Sequence, residues 1–87
     1  MDDLTSVKNP YYTSKNFVFP NPAHNEIELN VEGVYDLTIF DLNGVKILDQ
    51  QIIGNSLIDI TRLPKGVYFL HLLKGGKQVG FEKLIKF

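Results

Sequence analysis

FVFPNPAHNEIELNV, residues 17–31, sets two prolines around one asparagine immediately ahead of a clean alternation of apolar and polar residues. Proline fixes φ, lacks a backbone N–H and pushes the residue before it toward extended geometry. Pro20 and Pro22 therefore hold Phe19 and Asn21 extended and deny the segment a full ladder on one side. That combination suits a sheet edge or the place where a domain begins. Beyond the prolines, Ile27, Leu29 and Val31 share one face while Glu26, Glu28 and Asn30 share the other, which is the period of a half-buried strand.

The same period recurs along the chain at separations of about ten residues, and helical spacing is sustained nowhere over eleven residues. After Glu32-Gly33 comes VYDLTIFDL (34–42), with Tyr35, Leu37 and Ile39 alternating against Asp36 and Thr38; the two segments read as a hairpin. DLNG (41–44) places Asp41 first and Gly44 fourth, the signature of a type I turn closed by a glycine bulge. VKILDQQII (45–53) and SLIDI (56–60) follow, separated by Gly54-Asn55. TRLPKG (61–66) suits a tight turn with a short 3₁₀ element, with Leu63 plugging the core beneath it. GVYFLHLL (66–73) is apolar on both faces except at His71, as a central strand covered on both sides would be. KGGK (74–77) supplies another hairpin, and QVGFEKLIKF (78–87) a last strand. With FVF the count is about seven strands, which predicts an all-β, antiparallel sandwich of two sheets rather than a closed barrel.

A chain of 87 residues makes one domain at most, and at this size folding buries only about 60–65% of the unfolded surface. Cysteine is absent, which excludes disulfide staples and thiolate metal sites. No apolar run is long enough to predict a membrane span. MDDLTSVKN is acidic where a secretory signal is basic and has no apolar h-region, so an exported form is expected to be a longer precursor. Residues 1–16 have no period and read as linker or added sequence preceding a domain at 17–87. Tyr11-Tyr12 is the feature there that can pack on the sandwich or touch a ligand.

Charge is unevenly spread. Nine acids face three bases up to residue 61, whereas Arg62, Lys65, Lys74, Lys77, Lys83 and Lys86 stand against Glu82 alone thereafter. Without interleaved stacking aromatics or a binding motif, these cations read as gatekeepers of terminal strands and not as a nucleic-acid surface. Catalytic chemistry is poorly supplied. His24 and His71 have no carboxylates at metal-ligand spacing, Asp36, Asp41, Asp49 and Asp59 are dispersed, and Ser14 and Ser56 lack a nucleophile elbow. No catalytic residue, metal or cofactor is expected.

FPNPA (19–23), IFDLNG (39–44), IDITRLPKGVYFL (58–70) and KLIKF (83–87), in this order, resemble the type A C-terminal sorting domain of cargo proteins of the Bacteroidetes type IX (Por) secretion system. The resemblance implies an immunoglobulin-like sandwich attached to a larger cargo and read as an address. The cargo reaches the periplasm by a separate signal, the domain engages the outer-membrane translocon, and in many members a cell-surface sortase removes it and joins the cargo to anionic lipopolysaccharide. The protein then resides at the cell surface or outside the cell. Carried over by position, the motifs are Pro20-Asn21-Pro22, Gly66 with Tyr68, and the terminal Lys83, Leu84, Ile85, Lys86 and Phe87. Asp41, Gly44, Leu63, Gly66 and Tyr68 each have a structural role at a turn or in the core. The terminal strand combines apolar side chains with cations at a position from which a strand can detach or accept pairing, which makes it the expected translocon and sortase element and also an edge for self-association. A rival class is a small sandwich that binds carbohydrate or protein through Tyr11, Tyr12 and Phe81.

Overall fold

Strands form where the alternation predicts them. The computed structural model describes residues 17–87; the linker at 1–16 and its Tyr11-Tyr12 pair lie outside the described residues. The described residues contain seven strands and no helix: β1 (Val18–Phe19), β2 (Glu26–Leu29), β3 (Val34–Asp41), β4 (Lys46–Ile53), β5 (Ser56–Asp59), β6 (Gly66–Lys74) and β7 (Lys77–Lys86). They make two antiparallel sheets, one of three strands in the order β1-β2-β5 and one of four in the order β4-β3-β6-β7. Ile27 and Leu29 from the smaller sheet and Leu37, Ile39, Leu70, Leu72 and Leu84 from the larger are all buried in the layer between them. This is the two-layer solution by which sheets with one apolar face bury it.

One pairing differs from the sequence expectation. β2 and β3 are not a hairpin: β2 pairs β5, with Ile27 opposite Ile58, while β3 pairs β4 and β6. Alternation says that each strand buries one face, and Ile27 and Leu37 do so in one core from opposite sheets instead of side by side. The segment around Glu32-Gly33 therefore crosses between sheets. It is held there by Gly54, whose N–H donates to the Gly33 carbonyl (2.8 Å), and by the Val31 N–H, which donates to Asn55 Oδ1 (3.0 Å).

The β3–β4 connection follows its turn chemistry. Gly44 donates to the Asp41 carbonyl (3.0 Å), Asp41 donates to Val45 (2.9 Å), and Asp41 Oδ1 accepts from the amides of Asn43 and Val45. Gly44 has φ of 83°, a left-handed value that favours glycine, and the register slips by a bulge between Ile39 and Phe40. After β5, Leu63 donates to the Ile60 carbonyl (3.0 Å), closing a tight turn with no 3₁₀ element, and packs half-buried on the core. The hydroxyl and amide of Thr61 both donate to Asp59, and these hydrogen bonds hold its carboxyl below the usual carboxylate range.

β6 lies between β3 and β7, so its position is central, yet the described residues cover only one of its faces. Tyr68, Leu70 and Leu72 point into the core; Val67, Phe69, His71 and Leu73 sit half-buried on the outer side, where none of the described strands forms a second layer. A run that is apolar on both faces predicts two covers, and the described residues supply one.

Leu70, on the strand between β3 and β7, is fully buried. Leu70→Ala is expected to cost about 2–5 kcal/mol, the range for truncating a buried leucine where neighbours cannot collapse onto the space. Chemical denaturation with an unchanged m-value is the check.

Candidate functional site

The PNP segment acts on a strand far from it in sequence. β7 pairs β6 along one side, with Phe69 opposite Lys83 and Val67 opposite Ile85. Its other side, over residues 83–87, is taken up by residues 21–23. Asn21 Nδ2 donates to the Lys83 carbonyl (2.7 Å), and Asn21 Oδ1 accepts from the Ile85 N–H (3.0 Å). Ala23 donates to the Ile85 carbonyl (2.8 Å) and accepts from the Phe87 N–H (2.9 Å), a short parallel bridge. The His24 and Phe87 rings meet at 5.3 Å. A primary amide sets N–H donors beside a carbonyl acceptor in fixed relation, which is what lets a single Asn side chain imitate a strand between two prolines that cannot donate. Both the Phe19-Pro20 and Asn21-Pro22 bonds are cis.

A carboxylate fastens the other end of this clasp. Glu82 Oε1 accepts from the Phe17 N–H (3.0 Å) and the Val18 N–H (3.3 Å), and its Oε2 accepts from Asn21 Nδ2 (3.4 Å). The place where the described chain enters the sandwich is thus bonded to the middle of β7. Sequence reasoning did not single out Glu82, although its being the sole acid after residue 61 was a usable signal. Of the terminal residues, Leu84 and Lys86 are buried, while Lys83, Ile85 and Phe87 face outward. Strand addition along Lys83–Phe87 therefore has to displace residues 21–23 first.

Gly66 and Tyr68 stand at the same end of the sheet, opposite Lys86 and Leu84. Gly66 has φ of 153° and open space where a Cβ would stand, so its requirement is conformational and not steric. The Tyr68 ring is buried and its hydroxyl donates to the Pro64 carbonyl (2.5 Å), closing the chain back on the turn before β6 in the manner of the tyrosine corner of sandwich domains. Burial, and secondarily the carboxylate of Asp41, push the Tyr68 hydroxyl above its ordinary pKa.

On the outer face of the four-stranded sheet, Phe40, Asp41, Leu42, Gly44, Phe69, His71 and Phe81 line a shallow groove of about 440 Å³. Sequence reasoning had named Phe81 but not its neighbours Phe40 and Phe69. Among the described residues no three His, Asp or Glu side chains gather as a metal site, and no helix is long and apolar enough to cross a membrane.

Two measurements test the clasp and the corner. Asn21→Ala should cost about 1–2 kcal/mol by removing bonds to two strand groups, and should speed hydrogen exchange at the Ile85 amide. Asn21→Asp should do worse, because the carboxylate keeps the acceptor, loses the donor to Lys83 and faces Glu82. For Tyr68 the folded state holds the phenolic proton more tightly than the unfolded chain does. The resulting stability is fully present below about pH 10 and is lost as pH rises through the raised value. Tyr68→Phe should be less stable by about 1 kcal/mol at neutral pH and should lack that alkaline limb in denaturation midpoints measured from pH 8 to 12.

Residues 17–86 match the sequence model of a family described as a secretion system C-terminal sorting domain. No curated protein matches the chain. The match gives the chain the role of a sorting signal attached to a cargo that is exported to the cell surface or the extracellular space. With most of its length matched and its strands in two antiparallel sheets, the chain belongs to the C-terminal sorting domain family of the type IX secretion system.

Proposed function

We propose that the domain works as an address and not as a catalyst, and that the outer-membrane translocon reads the segment Lys83–Phe87 of a cargo already in the periplasm. A cell-surface sortase then cuts in the linker before Phe17 and transfers the cargo to anionic lipopolysaccharide. The observation that supports this reading is the convergence of the PNP segment and the terminal strand on one sheet edge, where Asn21 and Ala23 hold the outward backbone groups of Lys83, Ile85 and Phe87. An incoming strand can take over those same groups, since main-chain pairing is indifferent to whether the partner belongs to the same chain. Replacing the clasp exchanges hydrogen bonds for hydrogen bonds, so its net cost is small compared with opening the sheet.

The test is delivery of a reporter. Residues 1–87 are placed behind an exported reporter in a type IX-competent cell and in a translocon-deficient one; surface delivery is expected only in the first. Deleting Lys83–Phe87 should leave the reporter in the periplasm, and normal secretion of that variant would reject the reading. Because Leu84 is buried, the deletion also weakens the core. Removing Phe87 alone keeps Leu84 in place and should lower delivery in the same direction.

A further inference from the structure

The outer side of β6, over which no other described strand lies, carries more apolar surface than a solvated strand needs. Register places Phe40 opposite Phe69, Phe69 opposite Lys83, Thr38 opposite His71 and His71 opposite Phe81. The rings make a continuous cluster: Phe40 on the His71 edge at 4.9 Å, His71 on Phe81 at 5.0 Å, and Phe69 stacked with Phe81 at 5.8 Å and 16°. Phe81 is nonetheless 50% exposed and Leu42, at the groove's other end, 67%. Singly exposed apolar residues are ordinary, whereas these adjoin one another and line one groove.

The lining and the neighbouring charge narrow what binds there. A sugar needs several converging polar groups, and here the polar side chains are His71 and Asp41, whose Oδ1 already accepts two turn amides. A second copy is disfavoured by size. Three strands at about 4.8 Å and some five residues at about 3.3 Å give a footprint near 240 Å², well short of the roughly 800 Å² per partner of a stable complex. A footprint of that size suits a partner that holds briefly and lets go. Lys83 projects from the same face between Phe81 and Ile85, directly across from Phe69, and its ammonium makes no ion pair among the described residues. The groove is also continuous with the outward residues of the terminal segment.

We propose that this groove is a docking site for a protein segment of the secretion apparatus that presents an apolar side chain beside a carboxylate, the side chain seating against Phe40, Phe69 and Phe81 and the carboxylate meeting Lys83. The proposal rests on the sorting role and adds to the terminal strand a second, side-chain-specific contact on the face next to it.

The reporter carrying residues 1–87 tests it with Phe81→Lys, Lys83→Glu and Phe81→Leu. Phe81→Lys and Lys83→Glu should each cut surface delivery about tenfold or more, in the range of a central interface residue, with a melting temperature like that of the parent. Phe81→Leu, which keeps an apolar side chain but loses the ring, should be delivered better than Phe81→Lys. Lys83 belongs to the terminal segment as well, so Phe40→Lys on β3 reads the groove alone if Phe81→Lys folds poorly, and it too should cut delivery about tenfold. Delivery of both at the parent level, with the Lys83–Phe87 deletion still blocked, would overturn the groove while leaving the strand reading intact. Failure of the parent itself would overturn both. Sedimentation of the parent as a dimer that Phe81→Lys dissolves would assign the groove to a second copy, and binding to a soluble polysaccharide lost in Phe81→Lys with delivery unchanged would assign it to a glycan; either result overturns the proposal.

Discussion

The whole arrangement depends on how the outer edge of β7 is satisfied. A strand at the border of a sheet leaves every second residue with an unpaired N–H and C=O, and such a row invites pairing with other chains. Here residues 17–23 close that row from outside: Glu82 takes the amides of Phe17 and Val18, Asn21 takes Lys83 and Ile85, and Ala23 bridges Ile85 and Phe87. The contacts span more than sixty residues of sequence. They join the first and last segments of the sandwich, and with them the three-stranded sheet that contains β1 to the four-stranded sheet that contains β7. Proline on both sides of Asn21 serves this role by removing donors that would have no acceptor and by leaving the asparagine amide as the pairing group.

How much of this was legible in the sequence varies with the kind of physics involved. Local rules were sufficient for DLNG, where Asp41 caps two amides and Gly44 takes a positive φ, and for the alternation that buries Ile27, Leu29, Leu37 and Ile39. Alternation carries no information on which strand lies beside which. The reading of 26–31 and 34–42 as a hairpin failed for that reason, because a turn between sheets and a turn within one look alike at Glu32-Gly33. The PNP segment was legible as a blunted edge, but the edge it blunts belongs mostly to β7, sixty residues on. Asn21 meets Lys83, and Glu82 meets Phe17, only after the fold has formed, so no spacing rule applied to either.

β6 shows how a sequence pattern can predict a cover that the described residues do not supply. Its even positions, Tyr68, Leu70 and Leu72, fill the core, and its odd positions, Val67, Phe69, His71 and Leu73, face away from it half-buried. A strand of an antiparallel sandwich normally alternates apolar inside with polar outside. The odd positions break that rule without strain or any unsatisfied buried side chain among the described residues. The apolar outer face therefore serves no need of the isolated sheet, and local rules broken without a structural return are expected where function resides.

A label of this construction differs in kind from a linear signal. Of the terminal segment, Leu84 and Lys86 are turned inward and only Lys83, Ile85 and Phe87 are presented. Their backbone groups are shared with Asn21 and Ala23, and Lys83 stands opposite Phe69 of β6. None of these neighbours is adjacent in the unfolded chain. A receptor that contacts the edge and the face together thus meets a surface that exists only when both sheets have formed, and its affinity is coupled to folding by mass action: whatever binds the folded form and not the unfolded one adds its binding free energy to the stability of the fold. A receptor of that kind would discriminate between folded and unfolded domains without a separate sensing step, because only folding brings the PNP segment and the terminal strand together.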